Sequence, residues 1–196
     1  MHQLQCKCGV VRGHINTKGL HNRLICYCTD CRAYARFLTK AAAHAQTILD
    51  TSGGTEIIQV AQSALHFSSG QEQLAALKLT EKGMVRWYCQ CCLTPIGNIL
   101  ASPTGAFIGL VHSCLQRAEL DADFGNEVAL LNTNTALGFI KQRGLVGVLF
   151  RFLLLLIGER LSGRYRQSPL FDAAGLLRVS PRILTEAELQ QLKVAG

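Results

Sequence analysis

The sequence predicts a mainly β, metal-binding domain followed by a helical C-terminal extension. Three observations carry that prediction. Short strand-like pieces recur as far as Val111, separated by turn residues. Eight of the nine cysteines fall in three knots: Cys6-Lys7-Cys8, Cys26-Tyr27-Cys28-Thr29-Asp30-Cys31 and Cys89-Gln90-Cys91-Cys92. After about Gly125 the composition shifts to Leu, Val, Ile and Gly. The expected division is a zinc-binding β domain over residues 1–124 and a helical extension over 125–196, packed on or beside it.

Taken in order, residues 1–28 read as β, with strand-like pieces at 10–15 and 24–26. An extended Cys-x-Cys points both side chains to one face, because the strand period is two, so one ion reaches both sulfurs. Gly9 lets the chain turn after Cys8 and aim amides at sulfur. Residues 29 to about 43 predict a helix capped by Thr29 or Asp30, with Tyr34, Phe37 and Leu38 on one side. Cys31 then lies in the first turn, where the helix dipole favours a thiolate. Residues 50–56 read as a turn.

Four strand-like pieces follow, at 57–60, 65–67, 77–79 and 85–88, with Lys82-Gly83 as a hairpin-like turn. Cys89-x-x-Cys92 forms a knuckle after a strand and is closed by Thr94-Pro95. Residues 96–100 and 106–111 read as two more strands. The stretch 130–161 looks helical, and Thr185-Glu186-Ala187-Glu188 is a capping-box start to a short terminal helix.

At 48% hydrophobic, the chain buries a core without disulfide staples, so the cysteines need another role. The first residues show no basic-then-apolar leader, which makes a reducing cytoplasm the expected location. Close-spaced cysteines there are metal ligands or redox groups. Seven thiolates on two Zn2+ ions would bring the formal charge from +7 to +4, so no specific nucleic-acid binding is expected. The apolar run 145–157 is interrupted by Arg151 and is shorter than the roughly 20 residues a bilayer needs. It reads as a buried or homo-oligomer-facing helix. The basic segment 141–166 offers contact with a membrane surface or an acidic partner.

Cys6, Cys8, Cys89 and Cys92 supply four thiolates, enough for a closed, structural zinc site. Cys26, Cys28 and Cys31 supply three. Three readings of that trio stand open: a catalytic zinc with a free position, a closed zinc with Cys91 or a histidine as fourth ligand, or a metal-free redox centre. Thiolate-rich ligation favours zinc over iron. Cys114 reads as simply buried, and His66 as a satisfied core histidine. Trp87 and Tyr88 read as packing on the knuckle. His2, His14, His21, His44 and His112 show no ligand spacing.

The order Cys6-x-Cys8-Gly9, Cys26-x-Cys28-x-x-Cys31-Arg32, Tyr88-Cys89-x-x-Cys92 and Thr94-Pro95 resembles the GFA family. That family is named for glutathione-dependent formaldehyde-activating enzyme, S-(hydroxymethyl)glutathione synthase. The resemblance spans about residues 4 to 112. It implies a β-tent fold of antiparallel sheets around zinc, with Cys6, Cys8, Cys89 and Cys92 on a structural ion and Cys26, Cys28 and Cys31 on a catalytic one. It also implies a carbon–sulfur lyase acting on a small thiol adduct of an aldehyde, of glutathione type. The alternatives are a non-catalytic zinc-stabilised binding module, and a thiol redox sensor that needs Cys91 within disulfide reach of the trio. Several positions depart from the family pattern. Leu93 stands where members usually carry Gly, 33–37 replaces a small Gly-containing stretch, Cys91 is an added thiol, and the tail beyond Gly125 has no counterpart in short members.

Overall fold

The computed structural model describes residues 1–41 and 47–194. The expected end of the first helix near Ala43, and His44, lie outside the described residues.

The architecture is mainly β, with helices toward the C-terminus. A small antiparallel sheet pairs β1 (His2–Gln5), β2 (Arg12–Ile15) and β5 (Leu65–Ser69) in the order β1-β2-β5. The large sheet contains β3 (Asn22–Cys26), β4 (Thr55–Ala61), β6 (Leu74–Lys78), β7 (Val85–Cys89), β8 (Pro95–Ile99) and β9 (Phe107–Val111). Two strands from the C-terminal part complete it: β10 (Ala129–Leu131) and β11 (Arg182–Ile183). Its order is β10-β3-β4-β9-β8-β7-β6-β11, and it does not close into a barrel. The two added strands run parallel to their neighbours β3 and β6, whereas the inner pairs are antiparallel.

The helices are α1 (Thr29–Ala41), the short α2 (Leu120–Phe124), α3 (Leu145–Leu161) and α4 (Glu186–Val194). The main core lies between the sheets. Trp87, Ile96, Ile99, Ile108 and Leu110 meet Leu4, Ile15 and Leu65 there, all fully buried. Strands β8 and β9 are buried at every position, which is why β9 is a continuous apolar run that does not alternate; in β8 the one polar residue, Asn98, is buried and accepts from Arg86 at 3.3 Å. At Gly13 a Cβ would sit 2.2 Å from the His66 carbonyl oxygen, so the β2–β5 pairing there requires glycine. A second core joins α1 to α4 through Ala33, Tyr34, Leu38, Leu189 and Leu192.

Several expectations need correction. The Cys6-x-Cys8 segment is a turn and not an extended strand, because Cys6 pairs back onto Val11 and Gly9 takes φ +75°. Val10 and Val11 precede β2. The stretch expected to be helical from Leu130 is a strand at its start, because Ala129 to Leu131 complete the exposed edge of β3; the helix begins at Leu145. His66 is exposed and stacks on His14 at 5.1 Å, so it is not a core histidine. The capping box at α4 forms in full. Thr185 Oγ1 accepts from the Glu188 amide at 3.3 Å, and Glu188 Oε2 accepts from the Thr185 amide at 2.9 Å.

Candidate metal centres

The first centre is built from two turns far apart in sequence. In one, the Cys6 amide donates to the Val11 carbonyl at 2.9 Å, and the Val11 amide returns to Cys6 Sγ at 3.2 Å. In the other, which follows β7, the Leu93 amide donates to the Cys89 carbonyl at 2.8 Å, and the Cys89 amide to that of Thr94 at 2.9 Å. Leu93 takes φ +55° there. The knuckle therefore holds a non-glycine residue in the left-handed region.

The two turns are sewn together by the Lys7 amide, which donates to Thr94 Oγ1 at 3.0 Å. Thr94 Oγ1 also lies 3.0 Å from Cys92 Sγ. The ligand atoms of Cys6, Cys8, Cys89 and Cys92 all lie within 4.8 Å of one another, with Cys6 and Cys8 sulfurs 3.4 Å apart. Four sulfurs bound tetrahedrally at ~2.3 Å from an ion would be about 3.8 Å apart. The donor set fits a closed metal site. Cys6, Cys89 and Cys92 are buried and Cys8 faces solvent.

Burial raises the Cys6 and Cys89 thiols above the ordinary range. Cys92 is buried too, but the Thr94 hydroxyl and the amides of Cys8 and Thr94 outweigh burial and lower it to about 6. Such N–H and O–H donors to sulfur hold a thiolate in the orientation an ion needs.

The second centre forms where β3 ends and α1 begins. Cys26 closes the strand and Cys31 lies in the first helical turn. Between them, the Cys28 carbonyl accepts from the Arg32 amide at 3.3 Å and its Sγ accepts from the Cys31 amide at 3.4 Å. Cys28 is thus the helix cap, in place of the Thr29 or Asp30 expected from cap preferences. A sulfur held by its neighbours does what a side-chain oxygen does elsewhere.

Strand β10 supplies the rest of the frame. The Tyr27 amide donates to the Leu131 carbonyl at 3.0 Å, and Thr135 Oγ1 donates to the Tyr27 carbonyl at 2.8 Å. Asn132, at φ +56°, directs Nδ2 onto Cys26 Sγ at 3.3 Å. Nothing in the sequence singles out Asn132, because its partner lies in a distant knot and a lone asparagine after a short strand reads as a turn residue.

The Cys26, Cys28 and Cys31 ligand atoms also lie within 4.8 Å of one another, and among the described residues no fourth His, Cys, Asp or Glu joins them. Cys26 and Cys31 are buried and Cys28 is half-buried. Hydrogen bonds from Cys28 and then Cys31 pull the Cys26 thiol down to about 2 against its burial. The same contacts push Cys31 well above the ordinary value and raise Cys28.

Cys91 does not serve the trio. It is exposed, and its thiol is raised first by a hydrogen bond with Cys8, at the other centre. It lies at the solvent side of the first centre, beside the exposed Cys8 and outside the buried pair Cys89 and Cys92. Cys114 is buried as expected, with Sγ donating to the Val111 and Ile96 carbonyls. Trp87 packs in the core cluster that also holds Cys6, Cys89 and Cys92, while Tyr88 meets Phe37 on the α1 side. A third group brings His2, Glu119 and Asp123 together. His2 is buried with Nδ1 2.7 Å from Asp123, which ties β1 to α2.

A family of unknown function (DUF6151) matches residues 1–176. The chain belongs to this family. No curated protein matches it. A crystal structure of a Rhodobacter sphaeroides protein is similar at 17% identity, over 65% of this chain and 98% of that one, with a TM-score of 0.44. That likeness is too loose to bear on function. No described helix is long and apolar enough to cross a membrane.

Proposed function

We propose that this DUF6151 member is a zinc protein of GFA type, with a structural ion at Cys6, Cys8, Cys89 and Cys92 and an exchangeable one at Cys26, Cys28 and Cys31. Its reaction is carbon–sulfur lyase chemistry on a small thiol adduct of an aldehyde. One observation carries the reading: the second centre has three sulfurs and no fourth protein ligand among the described residues, with Cys28 half-open to solvent. Three protein ligands and a free position are the mark of a catalytic zinc. Bound there, zinc would supply Lewis acidity to an oxygen or thiol at that position.

The chain's own residues do the positioning. Asn132 orients Cys26 and favours its thiolate. The amino end of α1 places amides and the positive end of its dipole at Cys28 and Cys31. Burial of Cys26 and Cys31 keeps water from two of the three sulfurs.

Metal content of anaerobically purified protein tests the reading, with Cys28→Ser as the comparison. We expect two zinc ions falling to one with the fold intact, and turnover of S-(hydroxymethyl)glutathione lost in the variant. One zinc in both proteins would overturn the second site. Two zinc ions without turnover would favour a non-catalytic zinc-stabilised module. The exposed placement of Cys91 beside Cys8 counts against a redox sensor built on the trio.

A further inference from the structure

Helix α3 is apolar over most of its circumference, yet only one face is covered. Val148, Phe152, Leu155 and Glu159, spaced four, three and four, turn inward. The fit is fixed by polar ties. Asn22 Nδ2 donates to the Val148 carbonyl at 3.2 Å, Arg151 Nε donates to Asn22 Oδ1 at 2.8 Å, and Ser63 donates to the buried Glu159 at 2.6 Å. Phe152 meets Phe107 edge-on at 4.9 Å. The outer face carries Val146, Leu149, Phe150, Leu153, Ile157 and Leu161, with Val146 81% and Phe150 63% exposed. Just before the helix, Phe139 is 97% exposed. A stripe of this kind on a rigidly docked helix marks a surface that something else covers.

Charge decides what covers it. Lys141 and Arg143 lie at the amino end, Arg160 and Arg166 at the carboxyl end, and Arg151 along the flank, all exposed. The one acid of the segment, Glu159, is buried and already paired with Arg164 at 2.9 Å. A second copy would bring the same cations against each other, with no exposed carboxylate in this segment to meet them. An anionic lipid surface meets both halves of the pattern: acyl chains take the apolar stripe and phosphates take its basic ends. At about 25 Å long the helix suits lying in the interface and not crossing it.

We infer that α3, with Phe139, docks this protein onto the surface of an anionic membrane, its axis in the plane of the headgroups. This inference is independent of the metal reading.

Flotation of the purified chain with vesicles tests it, using phosphatidylcholine alone and phosphatidylcholine with roughly a third phosphatidylserine. We expect flotation with the anionic vesicles only, weakened by salt. Phe150→Asp and the double change Arg160→Glu with Arg166→Glu should each reduce binding by about tenfold or more. These positions are exposed, and an unchanged circular dichroism spectrum would show that the variants are folded. Absence of flotation with anionic vesicles would overturn the proposal. So would a stable dimer in solution that Phe150→Asp dissociates, since that would assign the face to a second copy.

Discussion

Thr94 and Asn132 do comparable work at the two centres. Each places one polar hydrogen against a buried sulfur, and neither is itself a ligand. Partners of this kind commonly account for about 10- to 100-fold in metal affinity. Thr94→Val keeps the shape but removes the hydroxyl from both Cys92 and the Lys7 amide, so weaker retention at the first centre is expected. Asn132→Ala should weaken the second centre alone. Competition with a chromogenic chelator would separate the two, since each variant should release one ion early and hold the other. Cys91→Ser, by contrast, should leave both equivalents bound, because Cys91 is exposed and lies outside either donor set. Loss of an ion in that variant would contradict the assignment.

His112 gives a pH test at the same scale. Burial lowers its pKa below the ordinary 6.5, with partial compensation from the Glu56 carbonyl that its ring faces. The unfolded chain then binds a proton that the folded one refuses, so stability falls as pH drops below 6.5. His112→Gln should make the decline between about pH 7 and pH 5 shallower than in the wild type. Urea unfolding at several pH values would measure the difference.

Among the elements, the helix ends are the most informative. At α4 a Thr–Glu capping box satisfies amides that the helix itself leaves unpaired, and Arg182 pairs with the same glutamate. Thr185→Ala should cost about 1 kcal/mol. Much of that cost should fall on the α1–α4 contact, where Arg36 donates to the Leu192 carbonyl at 2.8 Å. The α1 cap is of another kind, since its acceptor is a sulfur of the metal centre. Binding at the trio and the start of α1 are therefore coupled: an ion that orients Cys28 also orders the helix. The knuckle turn shows the opposite economy. Leu93 accepts a left-handed backbone while its side chain, like those of Tyr88 and Phe37, packs against the core that joins α1 to α4.

Across the whole molecule, the first centre clamps the small sheet to the large one. Cys6 follows β1 in the small sheet, and Cys89 ends β7 in the large one. An ion bound there would contribute directly to folding, because the unfolded chain holds no preformed site. Cys6→Ser should destabilise the fold by on the order of 5 kcal/mol or more. Cys28→Ser should destabilise it far less, since the trio lies at one margin of the sheet. Trp87, the single tryptophan and fully buried in the main core, reports unfolding by its fluorescence in both variants.

The sequence by itself determined the β character, the inner strands, the terminal capping box and the two cysteine groupings. Most of those are local signals: period-two or continuous apolar runs, a Thr–Glu spacing, a close repeat of one residue type; joining the Cys6 and Cys89 knots rested on ligand count across distant sequence. Only the tertiary structure decided the rest. The residues at 129–131 carry an apolar pattern as suited to a helix as to a strand, and the exposed edge of β3 selected the strand. Cys28 became a helix cap, Asn132 became a thiolate donor, and Cys91 turned toward Cys8, because these outcomes depend on which distant backbone passes nearby. The pattern of α3 likewise announces an apolar helix. That half of its surface stays uncovered follows only from where the sheet ends and how Asn22, Ser63 and Phe107 hold the other half.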